Sequence, residues 1–98
     1  MSIPHSSPAT GPSKAKAAAL HEAVAAELRA AHAVANVPVA SWIEDVPITR
    51  DSIYRVLRGQ RPVSVVELVL LCRAIEEDPL ELIARAVNRA TAEGQGPA

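Results

Sequence analysis

The chain has 98 residues, of which 49% are hydrophobic, and this length suits one small domain rather than two. Alanine occurs 19 times, whereas phenylalanine is absent and tryptophan and tyrosine occur once each, so the composition favours helices over a sheet sandwich. Ten basic and 11 acidic side chains give a net charge of −1, which excludes a polybasic coat for non-specific nucleic-acid binding. Any nucleic-acid function must therefore come from a local basic surface.

The two ends of the chain differ in composition from the part between them. Residues 1–13 hold three prolines and few large side chains, which predicts a flexible N-terminal arm. Residues 92–98 hold two glycines and a proline and are predicted to fray. No apolar run has the roughly 20 residues of a membrane span, and the start lacks the features of a signal peptide, so we expect a cytoplasmic protein. The lone Cys72 lies in an apolar run and is predicted to be a buried thiol.

Five helical patterns fill residues 14–91 and predict a compact all-α domain. The predicted helices cover residues 14–34, 38–45, 49–58, 64–76 and 79–91. Ser13 and Thr49 are candidate N-caps, Gly59 is a favoured residue just beyond a helix end, and Ser64 with Glu67 forms a capping-box pattern. The residues predicted to form the core are Leu20, Val24, Leu28, Trp42, Ile53, Val56, Leu68, Leu71 and Ile83.

Apolar residues of the last two helices exceed what one core needs. On the fifth helix the predicted buried stripe consists of Leu80, Ile83, Val87 and Ala90. Four apolar residues lie off the predicted stripes and are the candidate homodimer interface, namely Val66, Val69, Leu70 and Leu82. The same surface would equally serve a different protein partner.

The predicted third helix concentrates the basic residues of the chain. At about 100° per residue its apolar Ile53 and Val56 fall on one side, and its arginines and Tyr54 fall on the other. From residue 48 to 66 the charged residues are Arg50, Arg55, Arg58 and Arg61 against Asp51 alone. A solvated amphipathic helix would show the same pattern. The excess of arginine, whose planar fork suits guanine edges and phosphates, favours nucleic-acid binding.

No constellation of residues predicts an enzyme. The chain has no glycine-rich phosphate loop, no His-Glu-x-x-His pattern and no Gly-x-Ser-x-Gly elbow. His21 and His32 stand 11 residues apart on one predicted helix, hence about 16 Å apart, which is too far to share a metal ion. We therefore expect no catalytic residue, no metal, no cofactor and no small-molecule substrate.

Two segments together resemble a known family. Val-Pro-Val-Ala-Ser-Trp-Ile-Glu over residues 37–44 and Ile-Thr-Arg-Asp-Ser-Ile-Tyr-Arg-Val-Leu-Arg-Gly-Gln-Arg-Pro over residues 48–62 resemble the helix-turn-helix of the lambda-repressor/Cro (XRE) family. Residues 65–75 and 78–83 resemble the fourth and fifth helices of that family, so the resemblance covers about residues 20–86. It implies a five-helix domain whose third helix enters the major groove of double-stranded DNA.

The resemblance also implies roles for single residues. Those at positions 50, 51 and 55 match residues that typically read bases, whereas Thr49, Tyr54 and Arg58 match residues that hold phosphates or lie at the groove edge. Arg61, which follows Gly59 at the end of the helix, is a further candidate phosphate contact.

The chain also departs from the pattern of the family at several positions. Val39 stands in place of a glutamine, Ile43 in place of a small alanine and Pro47 in place of the turn glycine. His32 and Leu57 stand in place of a buried Arg–Glu pair, so no ion pair is expected there. Because proline cannot take a positive φ, the turn must follow another path.

The sequence thus predicts a sequence-specific DNA-binding regulator that acts as a homodimer on a palindromic operator. Its alanine-rich and lysine-poor composition and small size suggest a phage, prophage or bacterial repressor of the immunity or Cro-like kind. The alternative is a protein-interaction module of the same fold, such as an antitoxin-like or assembly protein. Salt dependence separates the two, because DNA binding weakens steeply with salt.

Overall fold

The structure, a computed structural model, describes residues 12–95, with side chains described for residues 14–92. This part of the chain contains five helices and no strand. They are α1 (Pro12–Ala35), α2 (Val39–Trp42), α3 (Arg50–Leu57), α4 (Val65–Ala74) and α5 (Pro79–Gln95). The predicted all-α class is confirmed, while most of the predicted N-terminal arm lies outside the described residues.

Several helix ends are those that the sequence predicts. The Thr49 hydroxyl accepts a hydrogen bond of 3.1 Å from the Ser52 amide and caps α3. Ser64 and Glu67 form the predicted capping box of α4, in which each side chain bonds to the backbone amide of the other residue at 3.1 and 2.9 Å. Gly59 follows α3 with φ of +74°, the left-handed conformation that glycine adopts without strain.

Other helix ends differ from the prediction. Ser13 lies inside α1 rather than capping it, and α5 continues to Gln95, so residues 92–95 are helical rather than frayed. The second helix was predicted over 38–45 but ends at Trp42, and an irregular connection follows over residues 43–49. Pro47 itself cannot take a positive φ, and no other residue of this connection has one. A 3.0 Å bond from Val46 N to the Ile43 carbonyl turns the chain instead.

The core lies between α1, the α2–α3 segment, α4 and α5. Six of the nine predicted core residues are buried: Leu28, Trp42, Ile53, Val56, Leu68 and Leu71. Val24 is half-buried against them, but Leu20 and Ile83 are 42% and 38% exposed, so the prediction for these two is wrong. Helix α1 meets α5 through alanines, and the longer side chains of Leu20 and Ile83 lie at the edges of that contact.

The side of α5 that is buried differs from the side that the sequence predicts. Leu82, Ala86 and Ala90 are buried, whereas Leu80 is 75% exposed and Val87 is 45% exposed. Leu82 is therefore a core residue and leaves no free surface for the predicted dimer interface. Its burial follows from the close approach of the two helices, since Ala86 and Ala90 pack against Ala23 of α1 in a small alanine cluster.

Of the other residues of the predicted dimer interface, one is exposed and two are half-buried. Val66 is 61% exposed, Val69 is half-buried, and Leu70 is half-buried against the main core. Only Val66 of the four predicted interface residues therefore presents most of its side chain to solvent.

A group of charged residues joins α1 to α5 beside the alanines. The Glu27 carboxylate accepts bonds from Arg85 at 3.0 Å and from Arg89 at 3.1 Å, and Arg85 also bonds to Glu77 at 2.7 Å. We call these four residues the Glu27 cluster. Burial by itself would raise the pKa of Glu27, but the bonds from the two arginines outweigh it and lower that pKa. Glu27 is thus a carboxylate that stays charged while almost fully buried.

Trp42 connects α2 to two other helices. Its side chain is 1% exposed, and its indole Nε1 donates a 2.9 Å hydrogen bond to the Leu71 carbonyl of α4. The Ile75 amide bonds to the Cys72 carbonyl, so the indole takes the place of the helical donor at Leu71. On its other side the indole stacks on the His32 ring of α1, with ring centroids 4.1 Å apart and planes inclined by 8°. The predicted burial of Trp42 is confirmed.

Candidate nucleic-acid interface

Helix α3 separates its apolar and basic residues as the sequence predicts. Ile53 and Val56 are 0% and 2% exposed and fix one side of the helix in the core. The remaining predicted site residues on this helix and at its two caps are all exposed: Thr49, Arg50, Asp51, Tyr54, Arg55 and Arg58. The structure therefore presents them together on one outward surface, which we call the α3 surface.

The arginines of the α3 surface are not neutralised by neighbours. Within residues 14–92, neither Arg50 nor Arg55 nor Arg58 forms an ion pair. By contrast, four other arginines of the described chain are paired with glutamates: Arg29, Arg61, Arg85 and Arg89. The guanidiniums with donors free for an outside ligand are therefore concentrated on α3, in a chain whose net charge is −1.

Arg61 differs from the other predicted contact residues. Its guanidinium bonds to both carboxylate oxygens of Glu67, at 3.1 and 2.9 Å, and to the Pro62 carbonyl at 3.2 Å. The bonds from Arg61 and from the Ser64 backbone hold the pKa of Glu67 at about 2, despite its burial. Arg61 thus braces the connection between α3 and α4, and the α3 surface does not include it.

The C-terminal end of α3 is closed by two devices. Gln60 N bonds to the Arg55 carbonyl at 2.9 Å and Gly59 N bonds to the Val56 carbonyl at 3.0 Å, which together form a Schellman motif. The Leu57 carbonyl accepts a hydrogen bond from the guanidinium of Arg29, which reaches across from α1. Sequence reasoning missed this second device, because a side chain 28 residues away leaves no local pattern at Leu57.

The structure also shows what surrounds the positions that depart from the resembled family. His32 Nε2 lies 2.7 Å from the Val37 carbonyl, and the His32 ring stacks on Trp42. Ile43 packs, half-buried, against the core. The seven-residue stretch 43–49 is longer than the connection over residues 46–48 that the sequence predicts between the second and third helices.

Few other chemical sites exist in the described part of the chain. No group of three or more His, Cys, Asp or Glu side chains there could hold a metal ion. Cys72 is fully buried, and burial raises the pKa of its thiol to about 11, so it stays protonated near neutral pH. None of the helices between residues 12 and 95 is long and apolar enough to cross a membrane.

Comparison with known proteins leaves the family open. No family model matches the chain, and neither a curated protein nor a solved structure matches it.

Proposed function

We propose that this protein is a sequence-specific DNA-binding transcriptional regulator, a small phage, prophage or bacterial repressor that binds its operator as a homodimer. The observation that supports the proposal best is the α3 surface, where three exposed arginines without ion pairs stand on a capped helix whose opposite side is fixed in the core. A helix of this kind fits the major groove, where arginine forms bidentate contacts with guanine.

The residues of the α3 surface divide into two roles in this proposal. Arg50 and Arg55 lie in the first and second turns, from which a side chain reaches base edges. Arg58 lies at the C-cap, where the chain would leave the groove beside a phosphate strand. Thr49 and Tyr54 lie at the groove edge and contact phosphates. Asp51 would repel phosphate, and we assign it to a cytosine amino group or to the orientation of Arg55.

A second copy of the chain completes the proposed operator complex. One α3 surface neutralises only a few phosphates, so useful affinity requires two recognition helices about 34–36 Å apart on successive major grooves. With Leu82 in the core, the apolar surface open to a second copy is the outer side of α5, where Leu80, Ile83 and Val87 are exposed. Val66 also remains exposed for such a contact.

The proposal is tested by selecting bound sequences from a random DNA pool and then measuring variants on the selected duplex and on mismatched duplexes. Arg50→Ala and Arg55→Ala should each lose about 1–3 kcal/mol of discrimination at one or two base pairs. Arg58→Ala should weaken binding to all sequences alike and lower the salt slope by about one. Arg73→Ala is the matched control, because Arg73 is an exposed arginine on α4 without an ion pair in the described chain.

Two further measurements complete this test. Asp51→Ala should tighten non-specific binding and lose sequence preference. The mass of the complex should correspond to two protein chains on each operator. If all the arginine variants behave like Arg58→Ala, or if none differs from the control, the role of α3 in base recognition is wrong.

A protein-interaction module is the second candidate, and the exposed apolar stripe of α5 favours it. In that case the partner covers Leu80, Ile83 and Val87, and the affinity changes little between low and high salt. A selection that enriches no DNA sequence, together with salt-independent binding to a protein partner, would decide for this candidate.

A further inference from the structure

Helix α3 is short, and one of its carbonyl groups depends on a residue outside it. The last carbonyls of a helix have no partner within the helix. Here the Tyr54 carbonyl accepts from Arg58 N at 3.1 Å, and the Schellman motif satisfies the carbonyls of Arg55 and Val56. The Leu57 carbonyl accepts instead from the guanidinium of Arg29.

Arg29 is suited to this contact by both charge and position. A positive charge at the C-terminal end of a helix is favourable because that end carries the negative pole of the helix dipole. Glu22, two turns earlier on α1, holds the guanidinium from the other side with an N–O distance of 3.6 Å. The same glutamate lies against Gly59, where an added Cβ would collide with its Oε1. Two residues of α1 thus meet the end of α3.

We propose that Arg29 is a positioning residue, which fixes the rotation of α3 on α1 and thereby aims the arginines of the α3 surface without itself contacting the ligand. This inference rests on the proposed DNA-binding function. Base recognition needs side chains held within about 0.5 Å and 10–20° of their productive geometry. Ile53 and Val56 fix one side of the eight-residue helix, and the bond to Leu57 fixes its C-terminal end to a second helix.

The test uses the full chain with Arg29→Met, which keeps the aliphatic stem and removes the donors and the charge. Affinity for the selected duplex should fall about tenfold, whereas affinity for unrelated duplexes and the salt slope should stay unchanged. Arg29→Lys keeps the charge but lacks the guanidinium fork, so its affinity for the selected duplex should lie between those of the wild type and Arg29→Met. Arg73→Met removes an exposed arginine charge elsewhere and should alter none of these quantities.

Amide hydrogen exchange supplies a readout that needs no DNA. The amides of Arg58, Gly59 and Gln60 are hydrogen-bonded at the end of α3. In Arg29→Met these amides should exchange about tenfold faster, while the amides of α4 keep their wild-type rates. Both Arg29 variants should fold, since the Arg29 side chain is 45% exposed, and the α4 amide rates report whether they do.

The possible outcomes separate the inference from the function on which it rests. If wild-type protein binds no duplex but Arg29→Met speeds exchange at the end of α3 alone, the proposed function fails and the positioning of α3 by Arg29 stands. If the salt slope drops by about one with unchanged exchange, and Arg29→Lys restores full affinity, Arg29 is a phosphate contact and the inference is overturned. Unchanged exchange and unchanged affinity overturn it as well.

Discussion

Replacement of Trp42 is the sharpest test of how the core is held together. Trp42→Ala removes the largest fully buried side chain and should cost about 3–5 kcal/mol through the cavity it leaves. It also leaves the buried Leu71 carbonyl without the indole donor and uncovers the His32 ring. A small domain has a total stability of about 5–15 kcal/mol, so this single change removes a large part of it.

Trp42→Phe separates the two contributions. Phenylalanine retains an aromatic ring in the core but cannot donate to Leu71, so the loss should be about 1–3 kcal/mol. Urea unfolding followed by far-ultraviolet circular dichroism measures both variants, since Trp42 is the only tryptophan and its fluorescence is lost with it. In the wild type, its emission should be blue-shifted and should move to the red on unfolding. A Phe variant within about 0.5 kcal/mol of wild type would refute a role for the Leu71 bond, and an unchanged midpoint for Trp42→Ala would refute the burial.

Two further predictions concern the helix ends. Because the pKa of Glu67 is lowered from 4.5 to about 2, its contribution is present above pH 4.5 and is lost as the pH falls towards 2. The free energy of unfolding should fall by about 1–2 kcal/mol over this range, which is less than full linkage because solvent screens the partly exposed Arg61. This pH dependence should be absent in Glu67→Gln and retained in the control Glu44→Gln. Urea unfolding at each pH measures it. Glu76 has φ of +58° at the end of α4, so Glu76→Gly should stabilise the domain by about 0.5–1 kcal/mol, whereas Gly59→Ala at φ of +74° should destabilise it by about 1 kcal/mol. Thermal unfolding measures both, and a lower midpoint for Glu76→Gly would contradict this account of the helix end.

Most of the correct predictions depend on residues that lie close together in the sequence. The cap at Thr49, the capping box of Ser64 and Glu67 and the stop at Gly59 each depend on residues within one helical turn, and the structure contains all three. The α3 surface was predictable for the same reason. Once Ile53 and Val56 are assigned to the core, the helical period alone places the arginines outside.

The errors arose where the buried side of a helix depends on the helix that packs against it. Both sides of α5 carry apolar residues at helical spacing, and the larger ones, Leu80 and Val87, made the wrong side more hydrophobic. The structure buries Leu82 and Ala86 instead, together with Ala90 of the predicted stripe, because small side chains let α1 approach closely. The role of Arg29 was hidden for a related reason, since its acceptor is a backbone carbonyl and has no sequence signature.

The contact between α1 and α5 combines an apolar part made of alanines with a charged part made of Glu27 and two arginines. Alanine methyl groups at Ala23, Ala86 and Ala90 form a nearly smooth seam, without the ridges and grooves by which larger side chains interlock. Such a seam resists separation of the helices but specifies their register along the common axis only weakly. The carboxylate of Glu27, which bonds to Arg85 and to Arg89 one turn further along α5, supplies that register. Shear between the two helices must therefore break charged hydrogen bonds at both arginines.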